Sequence, residues 1–216
     1  MKSIYYINYW RYHMEKIDDF LIKLPFCYDK IKENMFFYLN YFQLIGTAQH
    51  SLEVAQEAEI LADKFGLNPQ KAYVAGLLHD IGGVVPDESR VILATELHFN
   101  IFEEDKHLPL LLHQNFSAYI AKEHFGIEDE QILSSMACHT TLKPGATEFD
   151  KLIFISDKLK WDNKHSAPYF DEVLNQLDIS LDKGCLAYFD WLFEVGMPII
   201  HPYTQQAYDE LKLKYQ

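Results

Sequence analysis

The stretch AGLLHDIGGVV, residues 75–85, sets an imidazole beside a carboxylate in an otherwise apolar run. Ionisable groups on an apolar wall are too costly to keep unless they are hydrogen-bonded, paired or bound to a metal. His79 and Asp80 therefore need partners, and the chain must fold so as to bring them from elsewhere. Gly82 and Gly83 break the run directly afterwards. Their freedom lets the backbone turn away and leave that face open.

The segments able to deliver partners read as helices. HSLEVAQEAEILADKFG aligns Leu52, Ala55, Ala58, Ala62 and Phe65 on one face, with Gly66 as its stop. NPQKAYVAGLLHD restarts with Asn68 as N-cap and Pro69 in the first helical position. Further helices are expected through DESRVILATEL, through HQNFSAYIAKEHFG with a stop at Gly126, and through DEQILSSMACH. Thr147 should cap EFDKLIFISDKLKW, with Asp150 placed for a capping box. YFDEVLNQL, SLDKGCLAYFDWLFEV and TQQAYDELKLKY complete the pattern, while the β-branched runs VVP and LIFIS find no partner strand. The expected fold class is all-α. Residues 1–44 form an N-terminal helical segment packed on the core, 45–160 the core, and 161–216 C-terminal helices completing the same domain.

A chain of 216 residues has room for one substantial core, and 49% hydrophobic with 24% charged residues is an ordinary globular balance. The formal net charge is −13 and the only arginines are Arg11 and Arg90. Nucleic acid is thereby disfavoured as a partner, because phosphate neutralisation needs clustered basic residues. A small phosphorylated ligand would need local positive charge, which bound metal ions can supply. Nothing reaches the roughly 18 apolar residues of a membrane span, and no secretory signal is seen. Cys27, Cys138 and Cys185 form neither a CxxC clamp nor an even set, so a reducing, cytoplasmic setting is expected. Residues 1–13 are rich in Tyr, and Met14, which opens an amphipathic stretch, is a candidate translation start. The aromatic YFDWLFEV stripe reads as core or as the surface of a homodimer.

Partners for His79 and Asp80 are found on four other segments: His50, His113, His139 and Asp157. His50 opens its helix, His113 opens another, His139 ends a third, and Asp157 interrupts an apolar run. Neutral imidazole with carboxylate suits Fe, Mn, Zn, Co or Ni rather than Ca. A helical bundle can gather such groups from facing helices. The other histidines, His98, His107, His124, His165 and His201, read as surface or capping residues, and His13 carries no information. Glu103, Glu104 and Asp105 read as a solvated acidic turn, and Cys138 as a small buried side chain.

The order His50, His79–Asp80, Asp157 resembles that of the HD-domain metal-dependent phosphohydrolases. With His113 and His139 added, the chain is most similar to their YqeK-type branch, which splits dinucleoside tetraphosphates symmetrically into two nucleoside diphosphates. The resemblance covers about residues 45–160. It implies that Asp80 bridges two divalent transition-metal ions, iron first, with Mn, Zn, Co or Ni as alternatives. His50, His79 and Asp157 would complete one ion and His113 and His139 the other, with Asp80 and His113 as candidate catalytic residues. Four positions depart from the branch. Thr47 stands where a basic residue usually precedes the first histidine, and Gly83 where a lysine commonly follows the pair. Leu142 replaces the glycine of His-Thr-x-Gly, and KLKWDNKH replaces Glu-Pro…Arg.

Replacement phosphate contacts are sought in Lys143, Lys158 and Arg90, with Lys160 and Lys164 as further cations and Thr140 as a hydroxyl donor. Trp161, Tyr169 or Phe170 could stack on a base or simply pack in the core. The activity implied is metal-dependent hydrolysis of a phosphoanhydride or phosphoester of a nucleotide, including symmetrical dinucleoside tetraphosphate cleavage. The alternative is a nucleotide-binding or regulatory module that keeps its metals but has little turnover.

Overall fold

Local capping chemistry sets where several of the helices begin. Asn68 Oδ1 accepts from Lys71 N at 3.0 Å, and Pro69 fills the first position of the helix it caps. Thr147 Oγ1 accepts from Asp150 N at 3.1 Å while Asp150 Oδ2 accepts from Thr147 N at 2.9 Å, a reciprocal box. Gly66 and Gly126 stop their helices in the left-handed conformation, as the sequence predicts.

The computed structural model describes residues 17, 21–23, 28–160 and 167–215. The Tyr-rich residues 1–13, Met14, Cys27, Trp161, Lys164 and His165 lie outside them. The described residues contain helices and no strand: α1 (Ile31–Tyr41), α2 (Ile45–Lys64), α3 (Pro69–Leu78), α4 (Asp87–Glu96), α5 (Glu103–His107), α6 (His113–Phe125), α7 (Glu130–Met136), α8 (Glu148–Lys160), α9 (Phe170–Leu177), α10 (Leu181–Val195) and α11 (Pro202–Lys214). Short 3₁₀ turns at Ile81–Val84 and Pro109–Leu112 precede α4 and α6. The fold is all-α. None of these helices is long and apolar enough to cross a membrane.

Helix α8 is the axis. Its residues from Phe149 to Leu159 are buried without a break, enclosed by α2, α3, α7 and α10. Leu152, Ile153, Phe154 and Ile155 are fully covered, each contributing about 1.5–3 kcal/mol of apolar burial. The same helix carries Asp157 and Lys158 into the interior, so each of these must be satisfied there.

Two glycines set how closely the ligand-bearing helices approach. A Cβ on Gly76 would lie 2.5 Å from Ala55 Cα, so α3 crosses α2 in near-backbone contact. A Cβ on Gly82 would lie 2.2 Å from the His113 carbonyl oxygen and 2.5 Å from Ser117 N. Gly82 N donates to Ser117 Oγ at 2.9 Å. The chain does turn at the glycine pair, in the 3₁₀ segment Ile81–Val84, but Gly82 is needed there to admit the start of α6 rather than for a positive φ. Gly83 meets only Leu44 Cδ1 at 3.8 Å.

Helices α9 and α10 pack on each other, and α10 on α8. Asp182 of α10 ties the C-terminal helices to the axis, with Lys151 Nζ and Lys214 Nζ each 2.5 Å from it. Three further expectations are revised. Helix α2 starts at Ile45, so His50 lies inside it rather than opening it. Asp105 is buried instead of solvated, because it accepts from Phe102 N at 2.8 Å and faces His201 Nε2 at 3.6 Å. His124 is buried because it continues the inward face of Ser117, Ile120 and Ala121 at helical spacing.

Candidate metal centre

Six side chains from five segments of the chain meet at one point. His50 comes from the second turn of α2, His79 follows the last residue of α3, and Asp80 leads into the 3₁₀ turn. His113 opens α6, His139 lies just past α7, and Asp157 comes from α8. Asp80 divides its oxygens between two sets. Its Oδ2 is 3.8 Å from His50 Nε2 and 3.6 Å from His79 Nε2. Its Oδ1 is 3.0 Å from His113 Nε2 and 3.4 Å from His139 Nε2. Asp157 Oδ1 closes the first set, 3.0 Å from His50 Nε2 and 3.5 Å from His79 Nε2.

The backbone fixes which ring nitrogens face inward. His79 Nδ1 donates to Gly76 O at 2.8 Å, His113 Nδ1 to Leu110 O at 2.6 Å, and His139 Nδ1 to Met136 O at 2.8 Å. Each acceptor stands three residues before its histidine. With Nδ1 protonated, each ring when neutral presents an Nε2 lone pair to the centre. His113 Nε2 and His139 Nε2 consequently face each other at 2.9 Å beside Asp80 Oδ1. Three acceptors converge there, with the Thr140 hydroxyl 3.3 Å from His113 Nε2 at their edge. His79 Nε2 is fully buried and makes no hydrogen bond of good geometry. The ligand atoms of His50, His79 and Asp157 lie within 4.8 Å of one another, as do those of His79, Asp80 and His139. Orphaned acceptors of mixed nitrogen and oxygen character fit divalent transition metals.

Charge balance in the metal-free centre points the same way. Burial disfavours charge on His79, but Asp80 and Asp157 outweigh it and raise that histidine to about 9. A proton there substitutes for a cation. Burial pushes His139 down to about 4 against the pull of the Asp80 carboxylate, with His79 and His113 adding to the fall. Asp80 and Asp157 stay well below the usual carboxylate range: burial opposes ionisation, but it is outweighed by His79, His113 and His139 for the first and by Lys158, His50 and His79 for the second.

The substrate-side candidates fall into different surroundings. Thr140 Oγ1 is 3.3 Å from His113 Nε2, at the rim of the centre. Lys158 is buried, its Nζ donating to Asp157 Oδ2 at 2.7 Å. Lys143 Nζ donates to Ser134 Oγ at 2.6 Å and lies 3.4 Å from Asp150 Oδ2. Arg90 is buried behind the centre, paired with Asp87 and 3.5 Å from Leu110 O. Lys160 pairs with Glu57 at 2.9 Å. Leu142 sits at φ +56°, the left-handed region that favours glycine, with its side chain buried. The residue differs from the family pattern, yet the backbone keeps a glycine-like shape.

Sequence reasoning missed the carbonyl tethers and the close approaches at Gly76 and Gly82. An acceptor three residues before each inward histidine is a possible signal, but every residue carries a carbonyl, so it does not discriminate. Of the cavity beside the centre, described below, sequence reasoning named Thr140, Lys158 and Tyr169 but not Tyr188, Trp191 or the aliphatic lining.

A helical bundle that gathers four histidines and two aspartates in this order defines a candidate metallohydrolase. The HD domain family model matches residues 47–192, so the chain belongs to the HD-domain family and is a metal-dependent phosphohydrolase of that class. It is 40% identical over 146 residues to an uncharacterized protein in the pepC 5′ region of Lactococcus lactis subsp. cremoris, covering 68% of this chain and 75% of that one. It is 28% identical over 139 residues to the symmetrical bis(5′-nucleosyl)-tetraphosphatase of Bacillus subtilis strain 168, covering 63% and 72% of the two chains. The crystal structure of a predicted HD superfamily hydrolase involved in NAD metabolism from Clostridium acetobutylicum superposes with a TM-score of 0.77 at 29% identity, over 88% of this chain and all of that one.

Proposed function

We propose that His50, His79, Asp80 and Asp157 hold one divalent transition-metal ion and that Asp80, His113 and His139 hold a second, with iron the leading candidate. The chain then hydrolyses the phosphoanhydride of a nucleotide, with dinucleoside polyphosphates the leading class. The observation that carries this reading is the division of Asp80, one oxygen toward each histidine set. Kinship with a symmetrical tetraphosphatase supports the substrate class.

Such ions supply an acidified water and offset charge on a transferring phosphoryl group. The protein's part is to hold every ligand in place beforehand. Three imidazoles are clamped by backbone carbonyls, and Asp157 is braced by Lys158 from outside the ligand set. Thr140 places a hydroxyl beside His113, within reach of a bound phosphoryl oxygen. Neither a serine nor a cysteine nucleophile is required. Burial raises Cys138, the cysteine nearest in sequence to a ligand, far above the usual thiol range.

A second reading, nucleotide binding with little turnover, draws on the engagement of Lys143 and Lys158 by internal carboxylates. One experiment separates the two. Protein loaded anaerobically with Fe, Mn, Co, Zn or Ni is assayed on dinucleoside tetraphosphates, nucleoside di- and triphosphates and cyclic nucleotides. Nucleoside diphosphate release that disappears in Asp80→Ala is expected. Full metal occupancy without any product would overturn hydrolysis.

A further inference from the structure

A cavity of about 190 Å³ opens beside the centre. Its inner end is marked by Thr140, whose hydroxyl lies 3.3 Å from His113 Nε2, and by Lys158, whose Nζ bonds Asp157. From there the lining passes to C-terminal residues, with Tyr188, Trp191 and Leu192 on α10. Tyr169, Tyr188 and Trp191 form an aromatic cluster, with ring centroids 4.6 Å apart for Tyr169 and Trp191 and 5.0 Å for Tyr169 and Tyr188. Most of the remaining lining is aliphatic. Ligand pockets for whole small molecules run to about 300–1,000 Å³, so this one has room for a single ring system rather than a complete nucleotide.

Four polar side chains of the lining are committed elsewhere. Thr141 Oγ1 donates to Leu142 O at 2.7 Å, and Thr204 Oγ1 to Thr141 O at 2.8 Å. Tyr169 OH donates to Lys158 O at 2.9 Å. His201 Nδ1 accepts from Tyr203 N at 3.1 Å while Nε2 faces Asp105. What the cavity offers an occupant is chiefly aromatic face and aliphatic side chain. Stacking of this kind tolerates any base, because every base has a π-face.

We propose that this cavity receives one nucleobase of the substrate and holds it by stacking and apolar contact, without reading its hydrogen-bonding edge. The proposal rests on the nucleotide hydrolysis put forward above. A base seated there points its phosphates toward Thr140 and the metal ligands. The enzyme is therefore tolerant among purines: apolar pockets discriminate by up to about a hundredfold, whereas edge-reading sites reach about 10⁴–10⁵.

The test has two arms. In the first, metal-loaded enzyme is assayed on symmetrical tetraphosphates of adenosine, guanosine and inosine, with inorganic tripolyphosphate alongside. Values of kcat/KM within about a hundredfold among the three are expected, and a wider spread overturns the proposal. In the second, tryptophan fluorescence of the metal-free protein is titrated with ADP, GDP and IDP. Quenching by all three is expected, and its loss in Trp191→Phe. Quenching unchanged in that variant overturns the proposal. If the quenching is found but nothing is hydrolysed, the hydrolase reading falls and the base site stands. If tripolyphosphate is cleaved while nucleotides neither react nor quench, the base site falls and the phosphohydrolase centre stands.

Discussion

Arg90 and His113 meet at a single backbone oxygen. Arg90 Nη1 lies 3.5 Å from Leu110 O, and His113 Nδ1 donates to that same oxygen at 2.6 Å. The guanidinium is buried, so it braces the carbonyl that aims a metal ligand rather than meeting substrate directly. Arg90→Ala is expected to lower kcat by about tenfold or more, since small displacements of a catalytic group are costly. KM should change by less than about threefold, and Arg90→Lys should recover part of the loss. A rise in KM at constant kcat would instead make Arg90 a phosphate contact.

Gly82→Ala would drive a methyl group into the His113 carbonyl and Ser117 N, both backbone atoms. The start of α6 must move, taking His113 with it. A stability loss of about 1–3 kcal/mol is expected, together with reduced metal content by elemental analysis. Gly83→Ala serves as the control, because its Cβ meets only ordinary van der Waals contact. A Gly82→Ala variant with full metal content and unchanged denaturation would refute the tight approach.

In the metal-free chain, His79 at about 9 and His139 at about 4 stand on either side of the ordinary 6.5. The stabilisation from His79 is complete below 6.5 and is lost as pH rises through about 9. That from His139, which is held neutral, is complete above 6.5 and is lost as pH falls toward 4. Together these two residues favour maximum stability near pH 6.5. Metal uptake must displace the His79 proton, so apparent affinity climbs with pH until about 9, and binding at pH 7 releases about one proton. Urea unfolding with a chelator at several pH values, and calorimetry of metal binding in buffers of different ionisation enthalpy, check both points. A proton count of zero would sink them.

Asp182 anchors α8, α10 and the end of α11. Its carboxylate sits 2.5 Å from Lys151 Nζ, and Tyr215 OH donates to it at 3.0 Å. Burial opposes its charge, but Lys151 and Lys214 prevail and hold it below the usual range. This stabilisation is present above the ordinary 3.8 and is lost as pH falls further. Asp182→Asn leaves Lys151 buried without a full counter-charge, at a cost of about 3 kcal/mol. Chemical denaturation measures the loss, and hydrogen exchange across 202–214 shows whether α11 opens first.

The gathering of the candidate ligands was legible because their chemistry is written in residue types. An imidazole or carboxylate on an apolar face needs a partner, and His50, His79, Asp80, His113, His139 and Asp157 all face one point. Helix starts at Asn68 and Thr147 were legible because caps act over three residues. The fates of Arg90, Lys143 and Lys158 were not, since a sequence shows a cation but not the carboxylate or carbonyl that claims it. Asp105 misled for the same reason: its buried neighbour His201 lies far along the chain. Leu142 misled differently, as an unsuitable residue imposed on a glycine-like backbone by its surroundings.

The oxygens of Gly76, Leu110 and Met136 hold three imidazoles, and a main-chain oxygen survives any exchange of side chain. The aim of the centre is thereby insulated from drift at the positions that support it. The walls that choose the substrate can change around a reactive core held in this way.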